Sequence, residues 1–146
     1  YVLHHSIELI HIFIYDKKYD RAQKYMNRCR LLIKKTHNVD PEYGILIDAL
    51  EMYIEFLNSK EDIEKLEQFY IALQKDTNAD YFSWYYLAKI FSIATQESKA
   101  EECSIKTRDL LKIEENKISD ASHRESFISS LLLHQEMVSQ YVPTKM

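Results

Sequence analysis

The sequence predicts an all-α fold, and three observations support that prediction. The 146 residues include one glycine and two prolines, so few residues suited to tight turns are present. No Asn-Gly or Asp-Gly pair is available to form a β-hairpin. Apolar residues recur at steps of three and four positions, which is the spacing of amphipathic helices, and at 46% they suffice for a core. We expect one domain over residues 1–146, cut from a larger protein because the chain opens on Tyr1 without methionine.

Eight helices are expected in chain order, joined by short loops. Their approximate ranges are 2–15, 18–36, 41–58, 60–75, 80–95, 98–116, 119–129 and 131–140. Asp40 followed by Pro41 favours a helix start, and Ser59 and Asp80 are expected to cap the fourth and fifth helices. Because the loops are short, consecutive helices are expected to pair as antiparallel hairpins.

The first two helices each have an apolar side that predicts their inward face. On the first helix this side consists of Leu3, Ile7, Ile10 and Ile14. Leu9, Ile12 and Phe13 extend it around the helix, which predicts that the helix is well buried. On the second helix the apolar stripe consists of Tyr19, Ala22, Met26, Cys29 and Ile33.

The third and fourth helices have inward faces of the same kind. That of the third helix consists of Leu46, Leu50, Tyr53, Ile54 and Leu57. That of the fourth consists of Ile63, Leu66, Phe69, Tyr70 and Leu73. Both helices are therefore expected to pack one side against a core.

The fifth helix carries the most informative motif, Trp84-x-x-Leu87-Ala88-x-x-Phe91, which is followed by Ala100 on the sixth helix. This spacing resembles the tetratricopeptide repeat (TPR) family, whose template is W-x-x-L-G-x-x-Y followed by an alanine. The resemblance implies a right-handed superhelix of antiparallel hairpins. Its three repeats would cover about 2–36, 41–75 and 80–116, with a capping helical pair at about 119–140.

Ala22, Leu66 and Ala100 fall at the same template position in the three hairpins. They are separated by 44 and 34 residues, and the second value matches the TPR period. Alanine lets the two helices of a hairpin approach closely, so Leu66 predicts a more open second hairpin.

The tail resembles the closing segment of TPR regions in bacterial multidomain signalling and regulatory proteins. Its matching residues are Arg124-x-x-Phe127-Ile128 and His134-x-x-Met137. The resemblance implies a regulatory arm that accompanies an effector module elsewhere in the protein.

The TPR template also implies a concave groove that is acidic at its middle and aromatic at one end. Its expected partner-binding residues are His4, His11, Asp48, Glu51, Glu55, Asn58, Phe82, Tyr85 and Lys89. A basic or amphipathic peptide or helix would suit this groove. Alternatively, these are solvated faces and a partner uses another surface. The basic clamp of chaperone-tail TPRs is absent, since Ile7, His11 and Glu51 occupy its places.

Charge is segregated along the chain. Residues 16–35 hold eight basic and two acidic side chains, and residues 42–67 hold eight acidic and two basic ones. Lys17, Arg21, Lys24, Arg28 and Lys35 share one helix face. Such a face could bind the phosphate backbone of a nucleic acid. Alternatively, it is a solvated outer surface, or it pairs head to tail with another molecule. The net charge of -4 argues against nucleic acid.

Two further groups of residues are candidate sites. His4, Glu8 and His11 have a spacing that could hold one metal ion, but di-iron bundles need a second Glu-x-x-His step, and the chain lacks one. We expect groove or surface histidines and no metal or cofactor. Cys29 and Cys103 lack metal spacing and a disulfide framework, which favours structural thiols in a reducing, cytoplasmic setting.

The sequence as a whole favours a non-catalytic protein-interaction module. It contains no Ser-His-Asp order, no phosphate loop and no run of about eighteen apolar residues to span a membrane. Two alternatives remain open. One is a homo-oligomerisation module, such as a homodimer formed through the end near Tyr1 and Leu3. The other is a peptide-sensing domain that controls an attached effector.

Overall fold

A computed structural model describes residues 2–36, 41–76 and 79–118, apart from the side chains of Val2 and His4. These residues form helices only, which confirms the all-α prediction for the described part of the chain. The helices are α1 (Val2–Tyr15), α2 (Tyr19–Lys35), α3 (Pro41–Leu57), α4 (Ile63–Lys75), α5 (Tyr81–Ile93) and α6 (Glu97–Asn116). The predicted Asp40 cap and capping helices at 119–129 and 131–140 lie outside the described residues.

The chain divides into two compact units, Tyr1–Ala79 and Asp80–Met146. In the first unit, α1 packs along α2, and α2 packs less extensively along α3. In the second unit, α5 packs along α6. Three-residue connections, Asp16 to Lys18 and Ala94 to Gln96, make the α1–α2 and α5–α6 hairpins antiparallel.

The predicted inward faces are confirmed in their central residues. The fully or nearly fully buried members are Ile7, Ile10, Ile14, Ala22, Met26, Cys29, Leu46, Leu50, Ile54, Leu66 and Leu73. The prediction is wrong for three outlying positions, because Leu9, Ile12 and Ile63 are exposed. Apolar spacing identifies which side of a helix is hydrophobic, but exposure depends on whether another helix covers the whole of that side.

Helix α5 is the most buried helix in the described part of the chain. Eight of its thirteen residues are buried, including the continuous run from Ser83 to Ala88. The six residues assigned to repeat packing are all buried: Ala22, Trp84, Leu87, Ala88, Phe91 and Ala100. Lysines of α6 lie over aromatic rings of α5, with Lys99 Nζ 5.6 Å from the Phe91 ring centre and Lys106 Nζ 5.9 Å from that of Trp84.

Three helices end in the same hydrogen-bonded turn. After α1, α3 and α5 the chain places one residue in the left-handed conformation: Lys17 (φ 61°), Ser59 (φ 65°) and Thr95 (φ 59°). The next residue then donates its N–H to the carbonyl five positions earlier: Lys18 to Phe13 (2.7 Å), Lys60 to Glu55 (2.8 Å) and Gln96 to Phe91 (2.9 Å). Each turn is therefore a Schellman motif without glycine.

Of the two predicted helix caps that lie in the described residues, one is confirmed and one is wrong. Asp80 caps α5, because its carboxylate accepts a hydrogen bond from the Ser83 N–H at 3.1 Å. Ser59 does not cap α4, because it occupies the left-handed position of the preceding turn. Asp62 takes that role, and its carboxylate accepts from the Lys65 N–H at 3.1 Å.

The α3–α4 pair differs from the other two hairpins. Its connection, Asn58 to Asp62, is two residues longer, and Leu66 stands where the other hairpins have alanine. Extended backbone packing joins α1 to α2 and α5 to α6, but among the described helices it does not join α3 to α4. The side chain of Leu66 is nonetheless fully buried.

Candidate interaction surface

Three carboxylates form a row along one face of α3, which we call the α3 acidic row: Asp48, Glu51 and Glu55. Their spacing of three and four residues places them on consecutive turns of the helix. The opposite faces carry the buried apolar residues that attach α3 to the first unit. The row remains accessible, since the side chains of Asp48 and Glu55 are 54% and 42% exposed.

A residue of α2 reaches across to the first two members of the row. The Arg30 guanidinium donates to Asp48 Oδ1 at 2.9 Å and also to Glu51 Oε1. Gln23 Nε2, on the same side of α2, donates to Glu51 Oε2 at 3.2 Å. A guanidinium that bridges two carboxylates is among the stronger charge-assisted arrangements in proteins. This contact therefore links α2 to α3.

The electrostatics of this contact favour the charged forms of both partners. Burial alone would raise the pKa of Glu51, but the hydrogen bond and positive charge of Arg30 outweigh it and lower that pKa below its ordinary value. The hydrogen bond to Glu51 raises the pKa of Arg30, against the opposing effect of burial. At neutral pH the guanidinium and the Glu51 carboxylate are both ionised.

The last member of the row has its own basic neighbour. Lys65 of α4 places its Nζ 3.2 Å from Glu55 Oε1. The three carboxylates and the two cations Arg30 and Lys65 sum to one negative charge (-3 + 2 = -1). The α3 acidic row is thus less negative than its sequence indicates.

Space is open one turn before Asp48, at the chain's single glycine. A Cβ built on Gly44 would meet no neighbouring atom of the described residues within 4 Å. Gly44 precedes Asp48 by four residues and lies on the same helix face. A side chain from another molecule could therefore approach the backbone beside Asp48.

The other predicted groove residues have varied surroundings. In the first unit, Asn58 is exposed and His11 is buried, while the side chain of His4 lies outside the description. In the second unit, Tyr85 is fully buried, and Phe82 and Lys89 are half-buried. The Phe82 ring lies against that of Tyr81, with centres 4.6 Å apart, and Lys89 Nζ lies 5.1 Å from the Tyr85 ring centre.

Sequence reasoning missed the basic partners of the α3 acidic row. Arg30 belongs to the basic segment 16–35, and its carboxylates belong to the acidic segment 42–67. Opposite charge in adjacent segments was therefore the available signal, and it indicates pairing within the chain as well as between chains.

The potential metal ligands and the two thiols have the following surroundings in the described residues. Within them, no three His, Cys, Asp or Glu side chains are grouped to hold a metal ion. Cys29 and Cys103 are buried free thiols. Burial, followed by the charge of Glu102, raises the pKa of Cys103 to about 12, so this thiol is protonated at neutral pH.

Comparisons with known proteins return no match. Neither a protein-family model, nor a curated protein, nor a solved structure resembles the chain closely enough to count as a match. The described helices also include none that is both long and apolar enough to cross a bilayer.

Proposed function

We propose that the chain is a non-catalytic protein-interaction module, built from TPR-like hairpins, that binds a basic or amphipathic segment of a partner protein along the α3 acidic row. The observation that supports this most is that the row already receives a guanidinium and an ammonium from its own chain while Asp48 and Glu55 stay about half exposed. A surface that holds these groups internally has the chemistry to hold them on a partner.

The repeat architecture is supported by recurrence in the turns. The three Schellman motifs span residues 13–18, 55–60 and 91–96, and each closes the first helix of a proposed hairpin. The left-handed residues are 42 and 36 positions apart (59 - 17 and 95 - 59). Spacing of this order is that of helical-hairpin repeats.

Binding through the row would be weak and salt-dependent. Each exposed ion pair contributes about 0.2–1 kcal/mol, and salt screens it. Asp48 uses one carboxylate oxygen for Arg30, so its other oxygen can accept from a partner's lysine or arginine. Most of the affinity would then come from apolar contacts of the partner segment, with the carboxylates setting its orientation.

A peptide-sensing role is the second candidate, and the Arg30 contact favours it. A partner guanidinium that bound Asp48 and Glu51 would displace Arg30 and release one link between α2 and α3. Because ligand binding shifts an equilibrium only through such differential contacts, this exchange is the step by which a ligand could alter the first unit.

The test is binding of a fluorescent helical peptide of alternating leucine and lysine or arginine, measured by anisotropy at two salt concentrations. The double variant Asp48→Asn/Glu55→Gln should weaken binding about three- to tenfold. The matched control is Glu97→Gln/Glu101→Gln, which removes the same charge from exposed positions of α6 and should leave binding unchanged. Equal affinities for the two double variants, or no binding to the parent protein, would contradict the proposal.

A further inference from the structure

The exposed side of α1 is apolar where the sequence predicted burial. Ile12 is 54% exposed, and Leu9 and Tyr15 are also among the exposed large hydrophobic residues. They occur at steps of three residues on the side of α1 away from the buried Ile10 and Ile14. Contiguous exposed apolar residues of this kind often mark an interaction surface.

An aromatic contact joins this side of α1 to the basic side of α2. The rings of Phe13 and Tyr25 lie with their centres 5.4 Å apart, and the Arg28 guanidinium lies 4.9 Å from the Tyr25 ring centre. Leu9 lies one turn before Phe13, and Arg21 lies one turn before Tyr25. We call the exposed residues Leu9, Ile12, Arg21, Lys24 and Arg28 of the α1–α2 hairpin the basic–apolar face.

The cations of this face are not neutralised within the described part of the chain. Arg21, Lys24 and Arg28 are exposed and form no ion pair with a described residue. Along the two helices, exposed cations outnumber exposed carboxylates. The exposed carboxylates are Glu8, Asp16 and Asp20. The exposed cations are Lys17, Lys18, Arg21, Lys24, Arg28, Lys34 and Lys35. The face is accordingly positive, with an apolar edge.

Helix α4 presents a surface of the opposite character in the same unit. Ile71 is 50% exposed and Ile63 is exposed as well, which leaves two apolar residues on the outer side of the helix. Glu61 and Glu64 are exposed beside them, and Glu67 lies between the two isoleucines on the helix surface. We call Glu61, Ile63, Glu64, Glu67 and Ile71 the acidic–apolar face.

We propose that the chain self-associates by docking the acidic–apolar face of one copy on the basic–apolar face of another. The two faces match in both charge and apolar character, and each copy carries both of them in its first unit. Part of the opposite charge in segments 16–35 and 42–67 is paired internally through Arg30 and Lys65. Arg21, Lys24 and Arg28 on one face and Glu61 and Glu64 on the other are exposed and can meet a second copy. This proposal does not depend on peptide binding by the α3 acidic row.

Symmetry decides what the association produces. Two copies related by a two-fold axis make the contact twice and close as a dimer, whereas a head-to-tail arrangement adds copies without closure. In either case ion pairs and apolar burial act together, so the association strengthens with concentration and weakens with salt.

The experiment is sedimentation velocity across a range of protein concentrations, at about 50 mM and about 500 mM NaCl. The parent protein should form dimers or larger species at low salt and dissociate at high salt. Arg21→Glu/Arg28→Glu and Glu61→Lys/Glu64→Lys should each lower the association constant about tenfold or more, because each places like charges in contact. The control Glu97→Lys/Glu101→Lys makes the same charge change as Glu61→Lys/Glu64→Lys, but on α6, and should associate like the parent.

Mixing the two reversed variants provides the decisive measurement. Each interface in the mixture again pairs opposite charges, so the mixture should associate although neither variant does so alone. A monomeric parent protein at every concentration, or a mixture that stays monomeric, would overturn the proposal. So would a monomeric parent whose basic–apolar face instead binds a DNA duplex or vesicles of anionic lipid in an Arg21- and Arg28-dependent manner.

The outcome is separable from that of the peptide test. Glu61→Lys/Glu64→Lys leaves the α3 acidic row intact, so its peptide affinity reports on the row whether or not the protein associates. Circular dichroism of each variant checks that charge reversal at the start of α4 has not unfolded the helix.

Discussion

The α5–α6 hairpin and the α3–α4 pair solve the same packing problem in different ways. In α5–α6, the small Ala100 faces a helix that is buried along most of its length, and the two backbones pack closely. In α3–α4, Leu66 occupies the corresponding place, the connection is two residues longer, and close backbone packing is not found among the described residues.

The size of the residue at the fourth position of the second helix gives a physical reason for this difference. A leucine fills more space between packed helices than an alanine, and a longer connection allows a larger separation. As a consequence α4 buries only Leu66 and Leu73, and its isoleucines remain exposed. Helix α5 of the close hairpin has no large apolar residue among the exposed ones, whereas α6 exposes Ile105 and Ile113 and α4 exposes Ile63 and Ile71.

The largest expected effect follows from shortening Leu66, the buried leucine of the open pair. Leu66→Ala should lower the free energy of unfolding by about 2–5 kcal/mol, because it removes a fully buried leucine and leaves a cavity. A value near the lower limit would mean that α3 and α4 close together on the alanine. A value near the upper limit would mean that the five-residue connection keeps them apart.

Urea denaturation followed by far-ultraviolet circular dichroism measures this change. Leu31→Ala is the matched control, since the same substitution at an exposed position of α2 should change stability by less than about 0.5 kcal/mol. If Leu66→Ala were as mild as this control, Leu66 would not be what supports the pair.

The reverse substitution tests the close hairpin. Ala100→Leu should destabilise the second unit by about 1–3 kcal/mol, because the larger side chain must push α6 away from α5. Trp84, the only tryptophan in the chain, is buried on α5 and reports the separation through its fluorescence. Ala72→Leu, at an exposed position of α4, controls for the added leucine. If neither the tryptophan spectrum nor the stability changed, the space between α5 and α6 would already accommodate a leucine at position 100.

The sequence predicted the six described helices and their central inward residues well, because periodic apolar spacing is a local property. Asp80 was identified as a cap for the same reason, since it directly precedes the apolar run of α5. Ser59 was assigned the wrong role because serine is a favoured helix-capping residue, whereas here it is the left-handed residue that follows α3.

The candidate surfaces were less predictable because they depend on contacts between helices. Asp48, Glu51 and Glu55 were predicted as groove residues from the TPR template, but the pairing of Asp48 and Glu51 with Arg30 joins residues 18 and 21 positions apart in sequence. Likewise, the exposure of Ile12 reflects how far α2 covers α1, which periodicity cannot express.

The smallest expected effect concerns the feature that all three turns share. Thr95→Gly should raise stability by about 0.5–1 kcal/mol, because a β-branched residue is strained at φ 59° and glycine is not. The gain is limited by the greater entropy of glycine in the unfolded chain. Thr95→Ala also loses the hydroxyl bond to the Ala94 carbonyl but keeps a Cβ, so it should show no gain.

Ser59→Gly, at φ 65° in the open pair, should give a similar increase, since the turn geometry is the same although the helices beyond it are not. Thermal denaturation of the three variants measures this. A gain confined to Thr95→Gly would mean that the open pair tolerates its turn differently, and that the contrast between the two hairpins begins at the turn and not at the fourth residue of the second helix.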